Sequence, residues 1–346
     1  MQEKIYNWGI LGPGKIAKKF AEALQHPTVS RRCKLYGVAS RDLERAVDFA
    51  ETFKAEKAYG GYEQLIQDPE VDIIYIATPH AFHFELAMAC ILNHKHVLVE
   101  KPMSLNREQT HFLVEKAIEH NTFLMEALWT RFLPMTESIL DDIKHNKLGD
   151  IRFIKSDFGF PAPNVPSGRL FNPRLGGGSI LDVGIYPLFL CLLILGDFTE
   201  AVITGTLSDQ HIDLNCQAVL KYKNGATALI ASAIDTQLPI TTEITGTKGQ
   251  IRIPCPWYKN DHYYLKTTQN DHSEKVQLPA HTNGFEYEIL EVIDCLDKGL
   301  IHSAKWETAA SMILAEQMDR LLEKLAVKHP YTCHPFSDRL NTPPRI

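Results

Sequence analysis

Through the first third of the chain, short apolar runs alternate with amphipathic stretches. The runs at 5–11 (IYNWGIL), 34–40 (KLYGVAS), 72–78 (DIIYIAT), 96–100 (HVLVE) and 122–128 (TFLMEAL) have the length and side-chain types of buried strands. Between them, 15–25 (KIAKKFAEALQ), 42–53, 62–67, 82–93 and 106–121 carry helical spacing. Strand and helix in strict alternation predict a parallel sheet covered on both faces, a doubly wound α/β domain over residues 1–128.

Beyond residue 130 the rhythm changes. A helix at 134–146 and an extended stretch (IRFIKSDFGF) precede an apolar helix at 180–195. Strand patterns then follow one another without helices at 200–208, 214–223, 226–235, 241–247 and 250–253. KNGA and TKGQ between them read as hairpin turns. This predicts an α+β domain over 129–330 with a large, mostly antiparallel, open-faced sheet, closed by helices near 285–298 and 305–327. Residues 331–346, rich in proline, read as a surface tail.

Composition narrows the function classes. The net charge of −6 leaves no basic footprint for nucleic acid or an anionic membrane. Seven scattered cysteines without CxxC spacing read as free thiols in a reducing cytoplasm. The N-terminus runs straight into a strand pattern, with no signal-peptide character. The most apolar segment, SILDVGIYPLFLCLLILG (179–196), contains Asp182 and Pro187 and reads as a buried helix, not a membrane span. None of the fifteen histidines falls in a ligand motif, so no metal is expected and the partner should be a small molecule.

Chemistry enters at GILGPGKIA (9–17), between the first strand and the first helix. Gly12 permits the tight turn, Gly14 lets the backbone approach a pyrophosphate, and Ala17 keeps helix close to strand. Lys15 and Ile16 open the helix, whose free N–H groups suit an anion. The second strand ends in Ser40 and Arg41 where an NAD site usually has an acid; a hydroxyl and a guanidinium suit a 2′-phosphate, which favours NADP over NAD. Asp42 reads as the cap of the next helix. Ligands of open parallel sheets bind outside the carboxyl ends of the strands. Thr78, Pro79 and His80, then His83 at a helix start, follow one such end, and Glu100 and Lys101 close another. An ammonium at the end of a buried strand either points at water or serves something that needs positive charge. The topology places Lys101 near a nicotinamide.

The stretches GILGPGKIA, ATPHAFHFELA, VLVEKPMSLN and GGGSILDVGIYPL together resemble the Gfo/Idh/MocA (glucose–fructose oxidoreductase / inositol dehydrogenase) family over nearly the whole chain. EALWTRFLP and a tyrosine at 186 look most like its dimeric dihydrodiol dehydrogenase / NADP-dependent D-xylose dehydrogenase branch. The resemblance implies an NAD(P)-dependent oxidoreductase acting on a secondary alcohol of a sugar, polyol or trans-dihydrodiol. It also implies a cis Lys101–Pro102 bond and a homodimer or higher homo-oligomer formed through the second sheet. Tyr186 is then the general acid/base, Lys101 its electrostatic support and a hydroxyl ligand, and Asp182 orients substrate or lysine. Asp182 and Tyr186, four apart on a helix, share a face. A free tyrosine titrates near 10, and bringing it to about 7 takes roughly 4 kcal/mol of differential interaction, which nearby positive charge supplies. Trp129, Arg131 and Phe158 would wall the pocket. The alternative in another class is a cofactor-binding sensor that has lost its chemistry.

Overall fold

The structure, a computed structural model, describes residues 4–279 and 282–328. Parallel strands build the first unit: β1 (Tyr6–Leu11), β2 (Cys33–Ala39), β3 (Lys57–Tyr59), β4 (Ile73–Ile76), β5 (His96–Glu100) and β6 (Leu124–Ala127). Their order is β3-β2-β1-β4-β5-β6, so the sheet changes winding direction between β1 and β4. The crossovers carry α1 (Lys15–Leu24), α2 (Leu43–Phe53), α3 (Tyr62–Gln67), α4 (His83–Leu92) and α5 (Arg107–Glu119). β4 is buried along its whole length, as expected of a strand covered on both faces. Under α1, Phe20 stacks on Tyr75 at 3.7 Å and tilts against Trp8 at 5.3 Å. β3 was not predicted, because three residues with exposed Lys57 give no periodic signal.

The second unit contains α6 (Pro134–Lys144), β7 (Ile151–Gly159), a π-helical turn (Ile180–Gly184) and α7 (Ile185–Leu195). Strands β8 (Phe198–Leu207), β9 (Asp213–Tyr222), β10 (Thr227–Ala233), β11 (Thr242–Gly246), β12 (Gly249–Ile253), β13 (His262–Thr267) and β14 (Asn270–Gln277) complete it. They form one sheet, β14-β13-β12-β11-β7-β10-β9-β8, antiparallel except for the β7–β10 pair. β7 enters between β11 and β10, which is why it pairs parallel with one neighbour and antiparallel with the other. The apolar helix is internal: every residue of 185–192 is buried. One sheet face carries Ile154, Leu220, Ile230 and Ile244 inward. The other displays a cross-strand row of exposed Val202, Val219 and Leu229, continued by Lys155, Glu243 and Arg252. The sequence reading missed the β13–β14 hairpin. β13 buries Tyr263 and Leu265, but the exposed Tyr264 between them breaks the apolar/polar alternation in the sequence, and β14 (NDHSEKVQ) has Val276 as its one apolar residue.

Residues 282–311, assigned from the sequence to the 129–330 domain, pack with the first unit instead. The apolar side of α8 (Phe285–Asp297) lies on α1, Asn283 Nδ2 donates to the Lys19 carbonyl at 2.9 Å, and Asp297 pairs with Arg32 at 2.8 Å. Sequence order hides this return, because a helix pattern does not say which core it covers. α9 (Thr308–Lys324) follows. The expected tail at 331–346, with Cys333, lies outside the described residues; the cysteines within them are free.

One buried charge stands out in the first unit. Glu288 of α8 is fully buried, and neither carboxyl oxygen has a hydrogen-bond partner. Burial first, and the Glu100 charge second, hold its carboxyl well above the usual range. A folded-state value raised above the unfolded one gives stability that is complete below pH 4.5 and is lost as pH rises through the folded value. Glu288→Met should therefore gain stability over wild type between pH 5 and pH 8, reaching about 1–3 kcal/mol at the upper end in urea titrations. A difference independent of pH would contradict this assignment.

Candidate active site

The nucleotide half begins at the turn after β1. Gly12 sits at φ +92°, and a Cβ there would meet Thr78 Cγ2 at 3.0 Å and the Ala77 carbonyl oxygen at 3.1 Å. Only glycine fits both the conformation and the gap. Gly14 caps α1 with no side-chain hydrogen bond, so the first-turn N–H groups of Lys15, Ile16 and Ala17 are not taken up by a side-chain cap. Thr78 Oγ1 is buried without a partner beside this turn. An orphaned donor, a required glycine and an uncapped helix together fit the pyrophosphate of a dinucleotide.

At the end of β2 the Ser40 hydroxyl accepts from Asp42 N–H at 3.2 Å, and Asp42 caps α2 through Glu44 and Arg45 N–H, as the sequence suggested. Arg41 extends over the Phe82 ring, 5.6 Å from its centroid. The Tyr62 phenol is raised by burial and pulled back by Arg41 and Arg45 beside it. Ser40, Arg41 and Arg45 thus form a cationic corner with Tyr62, which the sequence reading did not single out; an aromatic at a helix start carries no signal of its own.

After β4 and β5 the predicted residues divide by role. Pro79 leads into a short 3-10 turn that holds His80, which is buried edge-on to His83 with centroids 5.7 Å apart. His83 is the first residue of α4 and fully buried, with Nδ1 2.8 Å from the Pro102 carbonyl and Nε2 2.8 Å from the Thr78 carbonyl. It ties the two strand-end loops together instead of opening toward a ligand. The Glu100 carboxylate accepts from the Tyr75 hydroxyl and, at 3.2 Å, from Lys101 N–H, so this side chain is committed to the fold. Lys101, partly exposed, leads into a cis bond to Pro102. Glu126, missed from the sequence, anchors the following loop by accepting from Met103 N–H at 2.8 Å and Ser311 Oγ at 2.6 Å. Its carboxyl is pushed up by burial, against those donors and the Lys101 charge. An acid inside the apolar run TFLMEAL was the available signal.

In the second unit Asp182 and Tyr186 do not share a regular α-helix. Asp182 lies in the π-helical turn and Tyr186 in the first turn of α7. Three glycines lead into the turn, and Gly178 at φ +126° has no room for a side chain, which lets the backbone take the wider path. Tyr186 is packed in an aromatic group, with ring centroids 5.3 Å from Phe158 and 5.6 Å from Tyr258, and Phe158 stacks on Tyr258 at 4.3 Å. Asp182 accepts from Arg169 Nη1 at 2.7 Å. Tyr258 and Arg169 were not predicted, since they lie in segments with no motif. Of the three expected wall residues, Phe158 packs against Tyr186, Arg131 pairs with Glu137 at 2.7 Å, and Trp129 stacks on Phe285 at 5.0 Å within the first unit.

Residues 6–128 match the model described as an oxidoreductase family with an NAD-binding Rossmann fold, and residues 139–252 match the Gfo/Idh/MocA C-terminal domain. Trans-1,2-dihydrobenzene-1,2-diol dehydrogenase of Xenopus laevis is 37% identical over 330 residues, covering 93% of this chain and 99% of that protein. The Mus musculus protein of the same name is 32% identical, with 93% and 98% covered. KijD10, a 3-ketoreductase from Actinomadura kijaniata solved with NADP and TDP-benzene, superposes with a TM-score of 0.82 at 26% identity over 93% of this chain and 98% of that one. A levoglucosan dehydrogenase, solved with NADH and levoglucosan, shares the fold at a TM-score of 0.85 and 19% identity, with 93% and 98% covered. A doubly wound nucleotide domain followed by a mostly antiparallel α+β domain is the architecture of a nicotinamide-dependent oxidoreductase. The chain belongs to the Gfo/Idh/MocA family and is an NAD(P)-dependent dehydrogenase.

Arg41→Ala should weaken NADP(H) by about 10- to 100-fold in fluorescence titrations, the loss of one charge-assisted contact, and leave NAD(H) within about threefold. Equal loss for both nucleotides would remove the guanidinium from the 2′-phosphate.

Proposed function

We propose that this dehydrogenase oxidises a secondary alcohol of a trans-dihydrodiol, sugar or polyol, with NADP preferred, and that Tyr186 and Lys101 handle the hydroxyl proton. The observation that carries the reading is the setting of Tyr186. Its ring lies in the first turn of a helix against the stacked pair Phe158 and Tyr258, four residues after an acid paired with Arg169, in a chain 37% identical to a dihydrodiol dehydrogenase. Aromatic faces suit the C–H face of a ring, and a phenol among them can take a proton from a ring hydroxyl.

Gly12, Gly14, Lys15, Ile16, Ser40, Arg41 and Thr78 would hold the nucleotide, with Pro79 and His80 lining its path. The bound nicotinamide supplies the hydride acceptor. Lys101 binds the hydroxyl oxygen and favours the deprotonated phenol by its charge, and Tyr186 removes the proton. Asp182, four residues before Tyr186 and paired with Arg169, is the second polar group proposed to orient the substrate. Trp129, Arg131 and Phe158 are the proposed wall residues.

The exposed face of the second sheet is the proposed contact for a second copy. Its row of Val202, Val219 and Leu229 continues into alternating Lys155, Glu243 and Arg252. An apolar strip flanked by charges of both signs can complement itself across a two-fold axis. The reduced cysteines suit a cytoplasmic setting.

Turnover with NADP across a panel of trans-dihydrodiols, aldoses and inositols tests the activity; nucleotide binding without turnover on any of them would identify a sensor instead. Lys101→Ala and Tyr186→Phe should each cut turnover by about two to four powers of ten and leave NADP(H) affinity nearly unchanged. Wild-type turnover in either variant would take that residue out of the mechanism. Val219→Glu should convert the oligomer to monomer in light scattering; an unchanged mass would move the interface elsewhere.

A further inference from the structure

The second unit contains a buried acid that the reaction does not touch. Asp213, the first residue of β9, is fully buried. Its Oδ2 accepts from Ser179 Oγ at 2.7 Å and from Ile180 N–H at 2.6 Å, the two residues that open the π-helical turn. Ser179 Oγ also lies 2.8 Å from Ser232 Oγ on β10, and Ser232 Oγ is 3.2 Å from Cys216 Sγ on β9. The glycines of the segment are shaped to this cluster. A Cβ on Gly178 would fall 2.3 Å from Asp213 Oδ1, and one on Gly184 would fall 3.0 Å from Ser232 Oγ. The turn therefore rests directly on polar atoms of the sheet.

Packing alone does not account for an acid here. Asp213 Oδ1 has no hydrogen-bond partner, and burial pushes the carboxyl up to about 6, against Ser179 and the Ile180 N–H. An apolar residue would fill the space without stranding an oxygen. What the carboxylate provides is a fixed anchor for the first peptide of the turn, to which negative charge at a helix start is well matched. Six residues beyond Ile180, that turn delivers Tyr186.

We propose that Asp213 is a positioning residue for Tyr186: through Ser179 and the Ile180 N–H, it sets the path of the π-helical turn and hence where the phenol is presented. The inference rests on the reading of Tyr186 as general acid/base. A phenol displaced by a fraction of an ångström still binds in the same pocket but transfers its proton poorly.

The test is a double-mutant cycle on turnover with NADP and whichever alcohol of the panel is oxidised. Asp213→Asn should lower kcat by about 10- to 100-fold with KM for the alcohol within about threefold and NADP(H) affinity unchanged. In a Tyr186→Phe background the same change should cost no more than about threefold, because there is no phenol left to misplace. Ser179→Ala, which removes one bond without altering charge, should give a smaller loss with the same dependence on Tyr186, and carries the cycle if Asp213→Asn does not fold. Equal fold-losses with and without the phenol would overturn the positioning role while leaving Tyr186 catalytic. Wild-type turnover in Tyr186→Phe alone would overturn the acid/base reading, and this inference with it.

Discussion

At Gly12 the backbone stands at φ +92° with Thr78 and Ala77 pressed against the place where a side chain would begin. That crowding ties the end of β1 to the end of β4, the two strands between which the sheet changes winding direction. Because the N-cap residue is Gly14, α1 starts with no side-chain cap, and its first N–H groups suit an anion. Beside the turn, Thr78 Oγ1 is buried without a hydrogen-bond partner. The neighbouring strand end carries a guanidinium held over Phe82 next to a buried phenol, the corner proposed to read the 2′-phosphate. One steric requirement at one glycine thus connects sheet topology to nucleotide recognition.

Around the strand ends, buried carboxylates organise the loops. Glu100 takes the Tyr75 hydroxyl, Glu126 takes Met103 N–H and Ser311, and Asp213 takes Ser179 and Ile180 N–H. In a low-dielectric interior such bonds are stronger than in water, and losing one partner is expensive. Loops held this way have few alternative paths. The segment carrying Lys101 is fixed from below by Glu126 and from the side by His83, and the turn carrying Tyr186 is fixed by Asp213. On the proposed mechanism, this bracing gives Lys101 and Tyr186 the rigidity that proton transfer needs. Glu288 is the exception, a buried acid with neither oxygen bonded.

Much of the fold was readable along the chain. The alternation of apolar runs and amphipathic stretches located five of the first unit's strands, and Gly225 at φ +81° turns the hairpin expected at KNGA. Local rules sufficed there because each element's apolar spacing and turn residues agree with its environment. The failures share a cause. β3 and the β13–β14 hairpin lack a buried face long enough to print a period. The helix expected near 285–298 forms at Phe285–Asp297 but covers the first unit, and the segment expected to start as α-helix at 180 opens with a π-turn. In each case a partner distant in sequence decides the outcome.

The site divides along the same line. Gly12, Gly14, Arg41, Lys101 and Tyr186 could be put forward from the sequence because the chemistry proposed for them needs particular residue types at particular offsets from strand or helix ends. Tyr62, Glu126, Arg169, Tyr258 and Asp213 were not, since a tyrosine or an acid becomes informative only when burial and partners are known. By itself the chain determined the class of fold and the nucleotide turn and supplied the candidates for the reactive side chains, all of which are properties of neighbouring residues. Only the tertiary structure decided which buried acids brace those side chains and which aromatics surround the phenol. Hydrogen bonds and ring contacts join residues tens of positions apart, and no local spacing records them.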